Sequence, residues 1–258
     1  MSLFFEIISN TPDVSSINFI ILCVVSFFTS AISASFGLGG GTMLVAVFVN
    51  ILNPLAVIPI HAVIQLNSNF FRALIMWRYI KFNGMIPFII GSIFGVSIGG
   101  QIAFNMPKYL LEGIIGIFIL YSLWGPSIKK FNKYSRGTAI GMGIFTSFIT
   151  MFVGTGSLLA PYIKAITIGK KMTVATHGAY MSWQHGLKII GFGLLGFTFS
   201  PYISLIIGMV LFGILGTWLG KYILSWMHER IFGFGFNLIL VILAIKLIYS
   251  PVKYWIMS

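Results

Sequence analysis

The sequence predicts an all-α polytopic membrane protein made of two inverted repeats. Each repeat is expected to hold a glycine-broken re-entrant helix pair followed by three transmembrane helices. Three observations carry this. Of the 258 residues, 58% are hydrophobic and 8% charged, against roughly 25% charged in soluble proteins. No charged residue falls between Asp13 and Arg72, Lys81 and Lys108, Arg136 and Lys164, or Lys188 and Lys221, and each gap holds at least one span of ~20 residues. Finally, one Gly-rich break interrupts the apolar pattern in each half of the chain.

Apolar segments fall at 17–36, 41–52, 55–77, 85–104 and 109–125, then at 138–153, 156–168, 173–197, 202–221 and 231–249. The segments at 41–52 and 156–168 are too short to cross ~30 Å of hydrocarbon alone. Each follows a break: SFGLGGGTMLV (35–45) and FVGTGSLLAP (152–161). The polar stretch SIKKFNKYSRG (127–137) links repeat one (1–126) to repeat two (138–258) within a single membrane domain.

The halves echo each other. Gly39, Gly41, Thr42 and Leu44 match Gly154, Gly156, Ser157 and Leu159 at an offset of 115. HAVIQLNSNFFR (61–72) matches HGAYMSWQHGLK (177–188), setting His61 on His177 and Arg72 on Lys188. GVSIGG (95–100) answers GILGTWLG (213–220), with small residues spaced for close helix packing.

Mean hydropathy is +1.00 and net charge +12. The basic residues sit in short loops between apolar runs, so they orient the chain and do not bind nucleic acid. Cys23 stands alone, which excludes disulfides and cysteine metal sites. Glu6 and Asp13 precede the first apolar run without any Lys or Arg, so no cleaved signal peptide is expected.

Loop charges choose the topology. If each broken pair enters and returns on one side, each half has three true crossings and the second half is inverted. Arg78, Lys81, Lys129, Lys130, Lys133, Arg136, Lys170, Lys171, Lys221 and Arg230 are then cytoplasmic, with only Lys108 and Lys253 outside and both termini outside. The alternative of eight spans in parallel halves would turn Lys170, Lys171, Lys221 and Arg230 outward, against the positive-inside bias.

Irregular backbone at membrane depth has to be buried in protein or line a watery cavity. The breaks Gly39, Gly40, Gly41, Thr42 and Gly154, Thr155, Gly156, Ser157 therefore mark a central site. Helices resuming after Gly41 and Gly156 are expected to aim free N–H groups into it. His61, Gln65, Ser68 and Arg72 fall on one helical face, as do His177, Met181, Gln184 and Lys188. Asn67, Asn69 and His185 broaden these stripes. Ionisable groups within spans are functional candidates. Arg72 and Lys188 bracket the midplane as anion-attracting cations, with Gln65, Asn69 and Gln184 as hydrogen-bonding groups. Lys246 has no repeat mate and is expected to snorkel.

Of the four acidic residues, Glu6, Asp13, Glu112 and Glu229, none forms a buried pair for acid–base catalysis or a hard-cation site. No metal-ligand spacing links His61, His177, His185 and His228, so no metal or other cofactor is expected. His61 and His177 are read either as satisfied intramembrane histidines or as a proton relay. The chain is not expected to be an enzyme.

The two Gly-rich stretches, in a chain with duplicated halves, resemble the TauE/SafE sulfite-exporter family, also called the toluene-sulfonate uptake permease family. Pro161 fits the proline that follows the family's glycine motif, while Ala46 replaces it in the first half and Thr155 interrupts the second triplet. The resemblance implies a multi-pass plasma-membrane (cell inner membrane) transporter of sulfur-containing anions such as sulfite, sulfoacetate and other organosulfonates. The expected function is secondary transport of small anions by alternating access, with an anion channel or a membrane subunit of a larger complex as alternatives. The expected partners are a small anionic substrate and the lipid bilayer, without nucleic acid. A homo-oligomer is among the assemblies the sequence allows.

Overall fold

The computed structural model describes residues 11–36, 39–125, 134–154, 156–223, 238, 241–249 and 252–253, and these form helices without strands. In chain order the helices are α1 (Ser16–Phe36), α2 (Gly40–Phe48), α3 (Pro54–Ile75), α4 (Met85–Phe104), α5 (Lys108–Trp124), α6 (Arg136–Val153), α7 (Ala160–Ile166), α8 (Gly169–Leu194) and α9 (Ile203–Ile223). A further helical stretch covers 241–249. Lys129, Lys130, Lys133 and Arg230 lie outside the described residues.

The sequence sets several of these boundaries directly. Asn53 caps α3, its side-chain oxygen accepting the Leu55 N–H at 3.1 Å, and Pro54 follows where no helical N–H partner is needed. Ser135 caps α6 by accepting from Thr138 at 3.0 Å. α8 starts four residues earlier than the apolar pattern suggests, taking in Lys170 and Lys171. Both are exposed, so the helix carries them beyond the apolar layer.

α1, α4, α6 and a stretch from Ser200 to Leu219 are long and apolar enough to cross a membrane. Their outward faces are apolar: Ile86, Ile90, Ile93, Phe94 and Ile98 of α4 are all exposed. In water such a face would aggregate, whereas in lipid it is the required surface.

Two glycine seams hold parallel helix pairs together. A β-carbon on Gly91, Gly95 or Gly99 of α4 would stand 2.1, 2.3 or 2.9 Å from the carbonyl oxygens of Ile140, Ile144 and Phe148 on α6. On α9, a β-carbon at Gly216 would stand 2.1 Å from the Phe27 carbonyl oxygen of α1, and Gly213 would meet the Ser30 hydroxyl at 3.0 Å. The Ser26 hydroxyl donates to the Met209 carbonyl at 2.7 Å across the same seam. Backbones this close gain dispersion and polar contacts that lipid tails cannot replace.

α3 and α8 pack against each other antiparallel. At one end Gly178 abuts the Asn69 carbonyl and the Arg72 side chain. At the other, Leu55 and Phe192 border one apolar pocket. The first end also gathers loops. Lys81 Nζ donates to the Ile166 carbonyl at 2.7 Å, and its backbone N–H donates to Thr176 Oγ1 at 2.9 Å. Lys171 Nζ lies 5.6 Å from the Tyr79 ring centre.

Candidate functional site

Both breaks turn on a glycine in the left-handed region. Gly39 has φ 96° and Gly154 φ 69°, conformations that cost other residues roughly 1–2 kcal/mol. After Gly39 the helix resumes at once, and Met43 N–H makes the first helical bond to the Gly39 carbonyl at 3.1 Å. The amides of Gly40, Gly41 and Thr42 thus precede the helical ladder. The second break differs from expectation. Gly154 caps α6, residues 157–159 form a turn, and α7 restarts only at Ala160, with Pro161 in its first turn. Proline has no N–H to lose there and its fixed φ favours a helix start. Ser157 therefore sits in the turn and not at a helix N-terminus.

The polar faces of α3 and α8 close on these breaks. His61 Nε2 stands 3.1 Å from the Gly41 carbonyl and His177 Nε2 3.2 Å from that of Gly156. A carbonyl only accepts, so Nε2 carries the hydrogen in both rings and Nδ1 faces away from the bond. Neither Nδ1 has a hydrogen-bond partner among the described residues. Arg72 Nη1 donates to the Ser33 carbonyl at 2.7 Å, and Nη2 donates to Asn69 Oδ1. Ser33 belongs to the last turn of α1, whose carbonyls have no helical donors and attract a cation. Asn69 Nδ2 in turn donates to the Gln65 carbonyl at 2.7 Å.

These groups surround a small polar cavity of about 30 Å³. Among the residues expected there, Gly39, Gly41, Thr42, Gln65, Asn69, Arg72, Gly154, Gly156 and Ser157 line it, joined by His177. Gly40 instead faces α1, where a β-carbon would stand 1.9 Å from the Thr29 carbonyl oxygen. Thr155 lies outside the described residues. Gln184 and Lys188 are not on the wall. Gln184 Nε2 donates to Thr146 Oγ1 and Ser147 Oγ of α6 at 2.7 and 2.8 Å. Lys188 is fully buried, and its Nζ has no hydrogen-bond partner among the described residues.

Ser33, Met181 and His185 line the cavity without having been singled out as site residues. Ser33 contributes a carbonyl to Arg72, and no side-chain pattern announces a backbone acceptor. Met181 crowds the second break: a β-carbon on Gly156 would stand 2.4 Å from its sulfur. His185 packs against His61 with ring centres 5.8 Å apart. Its place in the polar stripe of α8 was the available signal. Arg72 is the one cation on the wall, no Asp or Glu reaches it, and no metal-binding cluster occurs among the described residues.

A polar, arginine-bearing cavity inside an apolar-faced helical bundle defines the class as a polytopic membrane protein. The family model for the sulfite exporter TauE/SafE matches residues 22–247, and the chain belongs to that family. A protein of Haemophilus influenzae named a probable membrane transporter protein is 26% identical over 225 residues, covering 75% of this chain and 81% of its own. No solved structure matches. The role of the chain is membrane transport, which points away from an enzyme.

Proposed function

We propose that the protein is a plasma-membrane secondary transporter of small, sulfur-containing anions, working by alternating access of the central cavity. The observation that carries this reading is the charge of the wall: among the described residues Arg72 is present and carboxylates are absent. The unladdered amides at the start of α2 and the hydroxyls of Thr42 and Ser157 supply donors around it. Such a donor-rich surface suits an oxyanion and penalises a cation.

Two inverted repeats give the motion a basis. The parallel pairing of α1 with α9 and of α6 with α4 supports them, because each pair joins one repeat to the other in the same way. So do Gly39 and Gly154, matched in sequence and alike in left-handed backbone, and the paired bonds His61–Gly41 and His177–Gly156. The re-entrant reading of the broken pairs is supported by heights along α3. Ser33 meets Arg72 near one end, Gly41 meets His61 at the middle, and α2 then returns towards Pro54. Rocking of one repeat unit against the other around a fixed site follows.

A thermal-shift series on purified protein with sulfite, sulfate, thiosulfate, sulfoacetate and taurine tests the substrate class. An anion present at ~100 times its dissociation constant adds ~2.7 kcal/mol of stability. Stabilisation by a cation or neutral solute, with none by any anion, would overturn the reading. Counterflow of labelled substrate in proteoliposomes distinguishes a carrier from an open channel.

A further inference from the structure

Behind the cavity, α8 carries a second polar group that the anion site does not use. Lys188 is wholly buried, and its Nζ lacks a hydrogen-bond partner among the described residues. One turn earlier, Gln184 uses its amide nitrogen on Thr146 and Ser147, leaving Oε1 without a partner among the same residues. His61 and His185 pack ring against ring, both within electrostatic reach of Lys188, and both leave Nδ1 without a partner among the described residues. The neighbourhood therefore holds one amine, two acceptor atoms (His61 Nδ1 and Gln184 Oε1) and the His185 ring, whose nitrogens can donate or accept. His185 also lines the anion cavity, which joins the two places.

We propose that Lys188, with His185 and His61, is the proton-carrying site of the transporter, distinct from the Arg72 anion site and coupled to it through His185. The proposal rests on the anion-transport reading. An ammonium can release its proton and an amine can regain it, whereas the guanidinium of Arg72 stays charged throughout. An ammonium offers three N–H donors, while His61 Nδ1 and Gln184 Oε1 are acceptors without a partner among the described residues and the His185 ring takes either role.

The ionisable groups facing the site are His185 from its own helix and His61 from α3. Arg72 and His177 stand within reach of His185, and α4 brings no ionisable side chain. The described acids, Asp13 and Glu112, are remote: Asp13 is exposed ahead of α1, and Glu112 pairs with Lys108 at 4.0 Å. Among the described residues a proton on Lys188 thus has no carboxylate to balance it, and an anion in the neighbouring cavity supplies the missing charge. By linkage each favours the other's binding. Proton and anion therefore travel together, as in a symporter.

The test uses the full chain in proteoliposomes, with labelled sulfoacetate as the probe and the membrane potential clamped. Two readouts are taken: sulfoacetate counterflow without a pH gradient, and accumulation driven by a pH gradient. With one proton per anion, each pH unit drives about a tenfold accumulation in the wild type. Lys188→Met keeps counterflow but needs a higher sulfoacetate concentration, because the charge that favours the anion is gone, and it loses pH-driven accumulation. Lys188→Arg, which keeps the charge but cannot release a proton, keeps counterflow and loses pH-driven accumulation. Retained counterflow certifies the fold in each variant. Wild-type-like accumulation in either variant overturns the proposal, as does accumulation in the wild type that ignores the pH gradient. Loss of both readouts in Lys188→Met, with membrane insertion and thermal stability intact, also overturns it, because Lys188 then belongs to the anion path. Absence of counterflow in the wild type strikes the anion reading itself and takes the proposal with it.

Discussion

His61 fastens the middle of α3 to the first broken segment, its Nε2 donating to the Gly41 carbonyl at 3.1 Å. His177 makes the matching bond to Gly156 at 3.2 Å. Both histidines are buried, while Gly41 and Gly156 line the cavity, so removing the donor loses the bond without sealing the carbonyl from the cavity. His61→Phe and His177→Phe keep a ring of similar size but lose the bond, and each is expected to cost about 0.5–1.5 kcal/mol. Thermal unfolding in detergent micelles measures it. A variant that unfolds with the wild type would deny the bond its structural role.

Gly154 is constrained twice. Its φ of 69° disfavours any side chain, and a β-carbon would stand 2.9 Å from Val45 Cγ2 and 3.0 Å from His61 Nδ1. Gly154→Ala is therefore expected to destabilise by about 2 kcal/mol or more, combining backbone strain with overpacking. Gly196→Ala separates the two effects, since Gly196 has φ 97° but nothing within 4 Å of its would-be β-carbon. It should show the smaller loss in the same unfolding assay.

The glycine seam between α4 and α6 makes a sharper prediction. Gly95→Ala drives a methyl to 2.3 Å from the Ile144 carbonyl, which forces the helices apart and should cost roughly 1–3 kcal/mol. Gly141→Ala on α6 meets nothing within 4 Å and replaces glycine by the best helix former, so it should be neutral or stabilising by up to ~1 kcal/mol. Equal melting temperatures for the two variants would mean the seam is not closed as described.

The proposed topology assigns sides to loops. Lys81 bonds to Ile166 and Lys171 approaches Tyr79, so these segments share one end of the bundle. Single cysteines replacing Arg78 and Lys171, in a Cys23→Ser background, are expected to react only with reagent reaching the cytoplasmic face. A cysteine replacing Lys108 should react from outside. Outside labelling at 171 together with cytoplasmic labelling at 78 would revive the parallel eight-span arrangement.

Much of this fold was legible because membrane helices announce themselves by composition. α4 spans the residues its apolar run marks, and α1, α3 and α5 agree within two residues. The departures have local causes. α7 starts late because Pro161 serves best in a first turn, and α8 starts early because Lys170 and Lys171 extend into a polar layer. In the site, the stripe on α3 translated directly into cavity wall at Gln65, Asn69 and Arg72. The stripe on α8 did so only in part. Helical periodicity fixes which residues share a face but not which neighbour that face meets. Gln184 turns to the Thr146 and Ser147 hydroxyls of α6, and Lys188 lies behind the wall. The Ser33 carbonyl that anchors Arg72 was invisible for another reason: every residue has a carbonyl, and only the end of α1 leaves that one available.

Arg72 gives the most direct test of the anion site. It is buried on the cavity wall, held by the Ser33 carbonyl and Asn69, so its charge is fixed in place before any substrate arrives. At ~5 Å and an effective dielectric near 20, its attraction for one unit of negative charge is ~3 kcal/mol. Desolvation of the anion reduces this, and a ~10- to 100-fold loss of affinity is expected for Arg72→Gln. Arg72→Lys keeps the charge but not the two-pronged anchor to Ser33 and Asn69, so it should recover activity only in part. Lys246→Gln is the control, because Lys246 is exposed on the stretch 241–249 and lies off the cavity. Insertion should survive in all three, since the two Gln substitutions remove a charge from a span and Arg72→Lys adds none. Anion counterflow, normalised to folded protein in the membrane, reads the outcome. If Arg72→Gln carries anions as fast as Lys246→Gln, the cavity does not select its substrate by charge.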